Sequence, residues 1–406
     1  MDITKNKENK EEKNNEIYTV FHYAEDYLKE HYEFRFNEIA LDIECKKIDG
    51  EEWKSVNMDG LWLEMQKKQI KISIQAVKSI LKSEFTDKYN PIKEYFDNLP
   101  KWDGKIDYIT NFASYITLTH PKKEEYQFLT HFKKWLVRVV KTAIIKGFFN
   151  KQAFILADNG LGQNIGKTTY LRYLMPPNLN KYIAEDINGN DKDARILLCK
   201  NLLINMDELA TLSRKDINHL KAYFTKTQIN DRLPYETKNS IIERISSFMG
   251  STNQTSFLRD ETGSVRWLIF SIKSIDWKYS KEFNINNLWM QAVALANDKG
   301  FNEKMTRDDI IENERRNKQY QVLTKEQELI YKFFDKPTNN IPYTDFMTSS
   351  DIALFLKENT ALNSVPYEGT IGKAMHSLGF VRNQQKKNEN YSIYGYYVIK
   401  KEMNYK

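Results

Sequence analysis

A chain of 406 residues has room for roughly two to three domains and needs neither disulfide nor metal to hold a core. Its two cysteines, Cys45 and Cys199, stand far apart with no C-x-x-C or Cys/His spacing, which argues against a disulfide scaffold or a zinc site and for a reducing, cytoplasmic setting. The net charge of +6 leans toward anionic partners, but a Lys- and Asn-rich composition gives the same balance, so local patches have to decide.

In chain order, MDITKNKENKEEKNNE mixes both charge signs without an apolar core, and a disordered tail rather than a secretory signal is expected over 1–16. Residues 17–149 combine short strand-like runs with helical periodicity in SIQAVKSILKSEF and EYQFLTHFKKWLVRVVKTAIIKGFF, and predict a mostly helical N-terminal domain. The longest apolar stretch, WLVRVVKTAIIKGFF, is interrupted by Arg138, Lys141 and Lys146, so no membrane span is expected. From Gln152 onward short apolar runs (AFIL, NLLIN, SSFMG, RWLIFSI) alternate with helical ones (TYLRYLM, DINHLKAYF), which predicts an α/β domain over 150–320 with a parallel sheet. Over 321–406 the order is helix (SSDIALFLKEN), helix (YEGTIGKAMHSLGF), basic loop (VRNQQKKNENYS) and strand (IYGYYVIKK). That is the order of a winged helix-turn-helix, with Arg382, Lys386 and Lys387 in the loop where a wing would meet DNA phosphates.

The stretch DNGLGQNIGKTTYLRYL, residues 158–174, comes close to the phosphate-binding pattern G-x-x-x-x-G-K-[ST], with Leu161 at the first glycine position and Gly160 and Gly162 flanking it. A strand precedes it and a helix follows, so Gly162, Gln163, Asn164, Ile165, Gly166, Lys167, Thr168 and Thr169 are candidate nucleotide contacts. In such a loop the lysine reaches the β and γ oxygens and the hydroxyl, here Thr168, holds Mg2+. About forty residues on, the apolar run NLLIN ends in Asp207 and Glu208. There the first carboxylate can hold hydrated Mg2+ and the second can polarise the attacking water. SSFMG delivers Ser251, Thr252 and Asn253 at a strand end, with Asn253 chosen to position the water. Arg266 stands just ahead of the next strand, where it could reach the phosphates of a neighbouring subunit.

The runs LGQNIGKTTYLRYL, KDARILLCKNLLINMDELATL, KAYFTKTQINDRLPYETKNSIIERISSFMGSTN and FLRDETGSVRWLIF, with NPIKEYFDNLPKWDG ahead of them, together resemble the virulence-associated protein E family over roughly residues 80–275. That family is related to superfamily 3 helicases of the AAA+ class and occurs in phages and other mobile elements. The resemblance implies a P-loop AAA+ core and an ATP- and Mg2+-dependent helicase or translocase acting on single-stranded or forked DNA. Lys167 and Thr168 match the Walker A pair, Asp207 and Glu208 the Walker B acids, Asn253 the sensor and Arg266 the finger. It also implies a homo-oligomer, a hexameric ring, and a DNA-touching hairpin between Walker B and the sensor, carrying Lys221, Lys226, Arg232 and Lys238. No D-x-D array of primase type occurs in residues 17–149, so a primase or other replication protein would be a separate partner. The rival readings are a nucleotide-gated DNA-binding regulator and a defence ATPase that unwinds nothing.

Overall fold

The structure, a computed structural model, describes residues 18–158, 164–187, 192–207, 209, 213–232, 238–254, 256–258, 264–338, 345–388 and 391–401, except the side chains of Arg214, Lys215, Lys387 and Asn388. The tail expected over 1–16 lies outside them. The described residues form two compact units, one built from 18–254 and 264–317 and the other from 256–258 and 318–401.

The first unit begins with a helix, Val20–His31, that runs directly into β1 (Tyr32–Asn37). β2 (Asp42–Lys47) and β3 (Lys54–Ser55) follow, then the helices Met58–Lys67 and Ile74–Lys82 and the strand β4 (Asp87–Tyr89). The sheet order is β3-β2-β1-β4, with β1 and β4 parallel. Alternation in YEFRFN sends Tyr32 and Phe34 to the face packed on Leu28, Met65, Val77 and Leu81. Arg35 emerges on the other face, its guanidinium 4.0 Å from the Trp53 ring centre and 3.8 Å from that of Tyr89, and paired with Glu44 at 2.7 Å. The stretch expected as a mostly helical domain over 17–149 carries this small sheet among its helices. DIECKK and KS are short and charged, so their strand character comes from pairing with β1 rather than from hydrophobic alternation.

Nor do the helices beyond residue 90 pack as a separate domain. Pro91–Asp97, Tyr108–Ala113 and the long Pro121–Ile144 share one core with a six-stranded sheet. Its strands are β5 (Ile116–Leu118), β6 (Ala153–Asp158), β7 (Ile183–Glu185), β8 (Leu203–Met206), β11 (Ser247–Thr252) and β12 (Trp267–Ile275), in the order β5-β12-β6-β11-β8-β7. All pairs are parallel except β5 with β12. β6, β8 and β11 are buried along their whole length, as expected of strands covered on both faces. Phe132, Trp135, Phe154, Phe270 and Trp289 fill this core, and each such side chain taken from water contributes about 2 to 3 kcal/mol. Between β8 and β11 a helix, Arg214–Thr225, leads to a separate antiparallel hairpin, β9 (Gln228–Asp231) with β10 (Ser240–Glu243).

The second unit contains helices Lys325–Phe333, Ser349–Glu358 and Glu368–Ser377, packed around Ile330, Phe333, Ile352, Leu356, Ile371 and Met375. β16 (Tyr391–Lys400) pairs antiparallel with β13 (Phe334–Asp335), β14 (Asp345–Met347) and β15 (Arg382–Asn388). The basic segment expected to be a loop is therefore largely strand. A polar sequence forms an edge strand when its partner supplies the ladder, and Arg382 lies over the Tyr394 ring at 5.0 Å. Among the described residues no helix is long and apolar enough to cross a membrane.

Candidate functional site

Three adjacent parallel strands, β6, β11 and β8, end on the same side of the sheet and deliver Asp158, Ser251 to Asn253, and Asp207 there. The loop after β6 returns at Asn164, with φ of 65°, and Gly166, with φ of 90°, and opens the helix Lys167–Tyr173 with Lys167 as its first residue. At Gly166 glycine is required twice, because L side chains avoid this φ and because a Cβ would come within 2.4 Å of the Trp277 ring.

Lys167 is 5% exposed. Its ammonium donates to Asn253 Oδ1 at 2.7 Å and lies 3.5 Å from Asp158 Oδ2. Burial pushes its pKa below the usual lysine value, while the charges of Asp158 and Asp207 oppose that shift. On the next residue, Thr168 Oγ1 donates to Asp207 Oδ1 at 3.0 Å and lies 3.0 Å from Ser251 Oγ, which itself donates to Asp207 Oδ1 at 2.6 Å. Asp207 is further positioned by its own N–H, which donates to Asp186 Oδ1 at 3.0 Å. Asp186 adopts φ of 64° at the end of β7, and next to it Glu185 accepts from Asn205 and Arg172.

The candidate residues thus separate into groups. Lys167, Thr168, Asp207 and Asn253 are brought together. Asn164 and Thr169 are exposed beside them, while Ile165 packs against the core. Gly162, Gln163 and Glu208 lie outside the described residues. Arg266 is at the opposite end of the sheet. β12 runs parallel to β6 with Trp267 beside Ala153 and Ile272 beside Asp158, so Arg266 stands about 20 Å from the Asp158 end at ~3.3 Å per residue. Of the four cations expected on a hairpin, Lys221 is on the preceding helix, Lys226 caps that helix, and Arg232 and Lys238 flank the hairpin tip as exposed residues. In the second unit Arg382 and Lys386 are exposed on β15, and Lys387 lies on the same strand with its side chain outside the described residues.

Sequence reasoning missed Asp158, Asp186 and Trp277, and it passed over Ser251 in favour of Asn253. A carboxylate at the end of the strand before the loop was a readable signal for Asp158. Asp186 follows the short strand β7 and Trp277 comes two residues after β12, and only the sheet order places them at the site.

The donor set suits a hard divalent cation of the Mg2+ kind, since a threonine hydroxyl and one carboxylate oxygen lie within 3.0 Å of each other. Among the described residues there is no cluster of three or more His, Cys, Asp or Glu able to hold a metal alone. Mg2+ differs from Zn2+ in this respect, being held by one or two carboxylates with the remaining ligands from water and phosphate.

Comparison with known proteins places this arrangement in a family. Two solved structures of the NrS-1 C-terminal region in apo form cover 94% of this chain. One has 13% identity, TM-score 0.48 and 100% of its own length covered; the other has 12% identity, TM-score 0.46 and 99% covered. No curated protein matches the sequence. The virulence-associated protein E-like domain model matches residues 96–322, more than half of the chain and the span that holds every residue of the site, and the protein belongs to that family.

Proposed function

We propose that the protein is a P-loop ATPase of the AAA+ superfamily 3 type that moves along or unwinds DNA during replication of a phage or other mobile element. The observation that carries this reading is the Lys167–Asn253 and Thr168–Asp207 pairing at the carboxyl ends of adjacent parallel strands. Ligands of open parallel sheets bind at that edge.

In this reading Lys167 holds the β and γ phosphate oxygens of ATP, and giving up Asp158 and Asn253 to do so exchanges one set of oxygen partners for another. Thr168 and Asp207 hold Mg2+, which when bound neutralises charge developing on the phosphates. Asp186, accepting from the Asp207 N–H, and Ser251, whose hydroxyl donates to Asp207 Oδ1, hold Asp207 in place before any ligand arrives, so little reorganisation is needed. Glu208 polarises the attacking water, Asn253 positions it, and Arg266 of a neighbouring subunit completes the site within a closed, hexameric homo-oligomer. The helix pair, with the β15–β16 hairpin after it, is read as a winged helix. Arg382, Lys386 and Lys387 then contact DNA phosphates, and Arg232, Lys238, Lys226 and Lys221 serve a second DNA surface at the hairpin.

The test is strand displacement on a forked duplex with ATP and Mg2+, with Lys167→Ala as the control. The expected outcome is unwinding by the wild type and loss of both hydrolysis and unwinding in Lys167→Ala, by about 10³-fold or more. Near-normal turnover in Lys167→Ala would remove the ATPase reading. Hydrolysis without unwinding would replace the motor by the nucleotide-gated regulator or the defence ATPase.

A further inference from the structure

Of the chain's seven tryptophans, Trp135, Trp267 and Trp289 are fully buried, whereas Trp277 is 50% exposed and rests against the phosphate-loop candidate. The Cζ2, Cη2 and Cε2 edge of its indole occupies the space a Gly166 side chain would need, at 2.4, 2.6 and 3.2 Å from an ideal Cβ. Tyr279, itself buried, lies nearly parallel to the ring at 25° with centroids 6.2 Å apart and steadies it. Exposed apolar side chains occur elsewhere on the surface, and what sets Trp277 apart is its place, edge-on against the glycine that opens the helix after the loop.

The sheet order gives that place its significance. Asn253 follows β11 and Asp207 follows β8, both on one side of β6, and they mark where a γ-phosphate would sit. Trp277 follows β12, which flanks β6 on the other side. A nucleotide whose phosphate tail points toward Asn253 and Asp207 therefore leaves the loop at Gly166 toward β12, and its base arrives at Trp277. We infer that Trp277 is the nucleobase platform of the site, stacking the base of a nucleoside triphosphate on its exposed face. The inference rests on the nucleotide-site reading above. Stacking adds affinity for the base and none for the phosphates, and that distinction makes it testable.

The experiment is calorimetric titration, in the presence of Mg2+, of the wild type, Trp277→Ala and Trp277→Phe with ATP and separately with inorganic tripolyphosphate, which has the phosphate chain but no base. Expected are a loss of about tenfold or more in ATP affinity for Trp277→Ala, unchanged tripolyphosphate affinity, and recovery of most of the ATP affinity in Trp277→Phe. An equal loss for both compounds would assign Trp277 to bracing the loop and overturn the platform. Undiminished ATP affinity in Trp277→Ala would overturn it too, with the phosphate site left standing. Wild-type protein that binds neither compound would remove the nucleotide site itself and the platform with it.

Discussion

His131 and Lys167 are buried to similar degrees, 1% and 5% exposed, yet their surroundings ask opposite things of them. Lys167 has oxygen partners on two strands and can stay charged. His131, on the helix Pro121–Ile144, has neither ring nitrogen paired among the described residues, and burial, helped by Arg316, pushes its pKa down to about 4. The imidazole is therefore neutral in the fold at pH 7, whereas in the unfolded chain it titrates near 6.5. As pH falls from about 6.5 to about 4, the unfolded chain takes up a proton that the folded chain refuses, so stability drops toward acid and is fully present only above that window. The drop attributable to His131 is about 3 kcal/mol at its limit. Urea unfolding at pH 7 and pH 4.5 should show His131→Phe losing less stability between the two than the wild type does. Equal losses would mean that this side chain reaches water before it titrates.

At the scale of elements, Arg244 joins the helix Arg214–Thr225 to the hairpin that follows it. The guanidinium is 1% exposed and donates to five backbone carbonyls: Tyr223, Phe224 and Lys226 at the helix end, Ser246, and Asn150 at the entry to β6. A cation at a helix C-terminus satisfies carbonyls that have no partner within the helix. Arg244→Met keeps much of the volume but strands those oxygens in an apolar setting, and should cost at least about 3 kcal/mol in chemical denaturation. A loss below about 1 kcal/mol would show that water replaces the guanidinium. Nothing in IIERISSF marks this arginine as buried, because burial depends on a helix and a strand far away in sequence. The same limit explains what else could be read. The strands β6, β8, β11 and β12 are apolar runs and stand out, and the residues at their ends are readable with them. β2, β3 and β15 are polar or charged and owe their conformation to a partner strand, so they read as something else. Lys167, Thr168, Asp207 and Asn253 could be picked by type and spacing. Asp186 and Trp277 could not, because only the neighbour relations β7-β8 and β12-β6 bring them beside these residues.

For the whole molecule, the distance between Arg266 and Lys167 limits how a complete site can be made. Lys167 follows the carboxyl end of β6, and Arg266 precedes the amino end of the parallel neighbour β12, so the two strand ends lie about 20 Å apart along the strands. A six-residue strand buried on both faces cannot shorten, and Arg266's carbonyl is tied to the Ala153 N–H at 2.8 Å, so no side-chain motion carries the guanidinium to its own chain's Lys167. If Arg266 acts on ATP at all, it acts on a neighbour's, and a heterologous contact that closes into a ring gives every chain one donor and one acceptor edge. Arg266→Ala should then keep nucleotide binding and lose hydrolysis, as Lys167→Ala loses it from the other edge. Mixing the two inactive variants recreates intact sites wherever an Arg266→Ala chain presents Lys167 to the Arg266 of a Lys167→Ala chain. Random mixing in a closed ring makes about a quarter of the sites intact, and hydrolysis should return to about that fraction of wild type if sites fire independently. Restored turnover in the mixture would establish catalysis between chains. A mixture as inactive as its components, under conditions where both variants bind nucleotide and co-assemble, would leave Arg266 with a structural role at the amino end of β12.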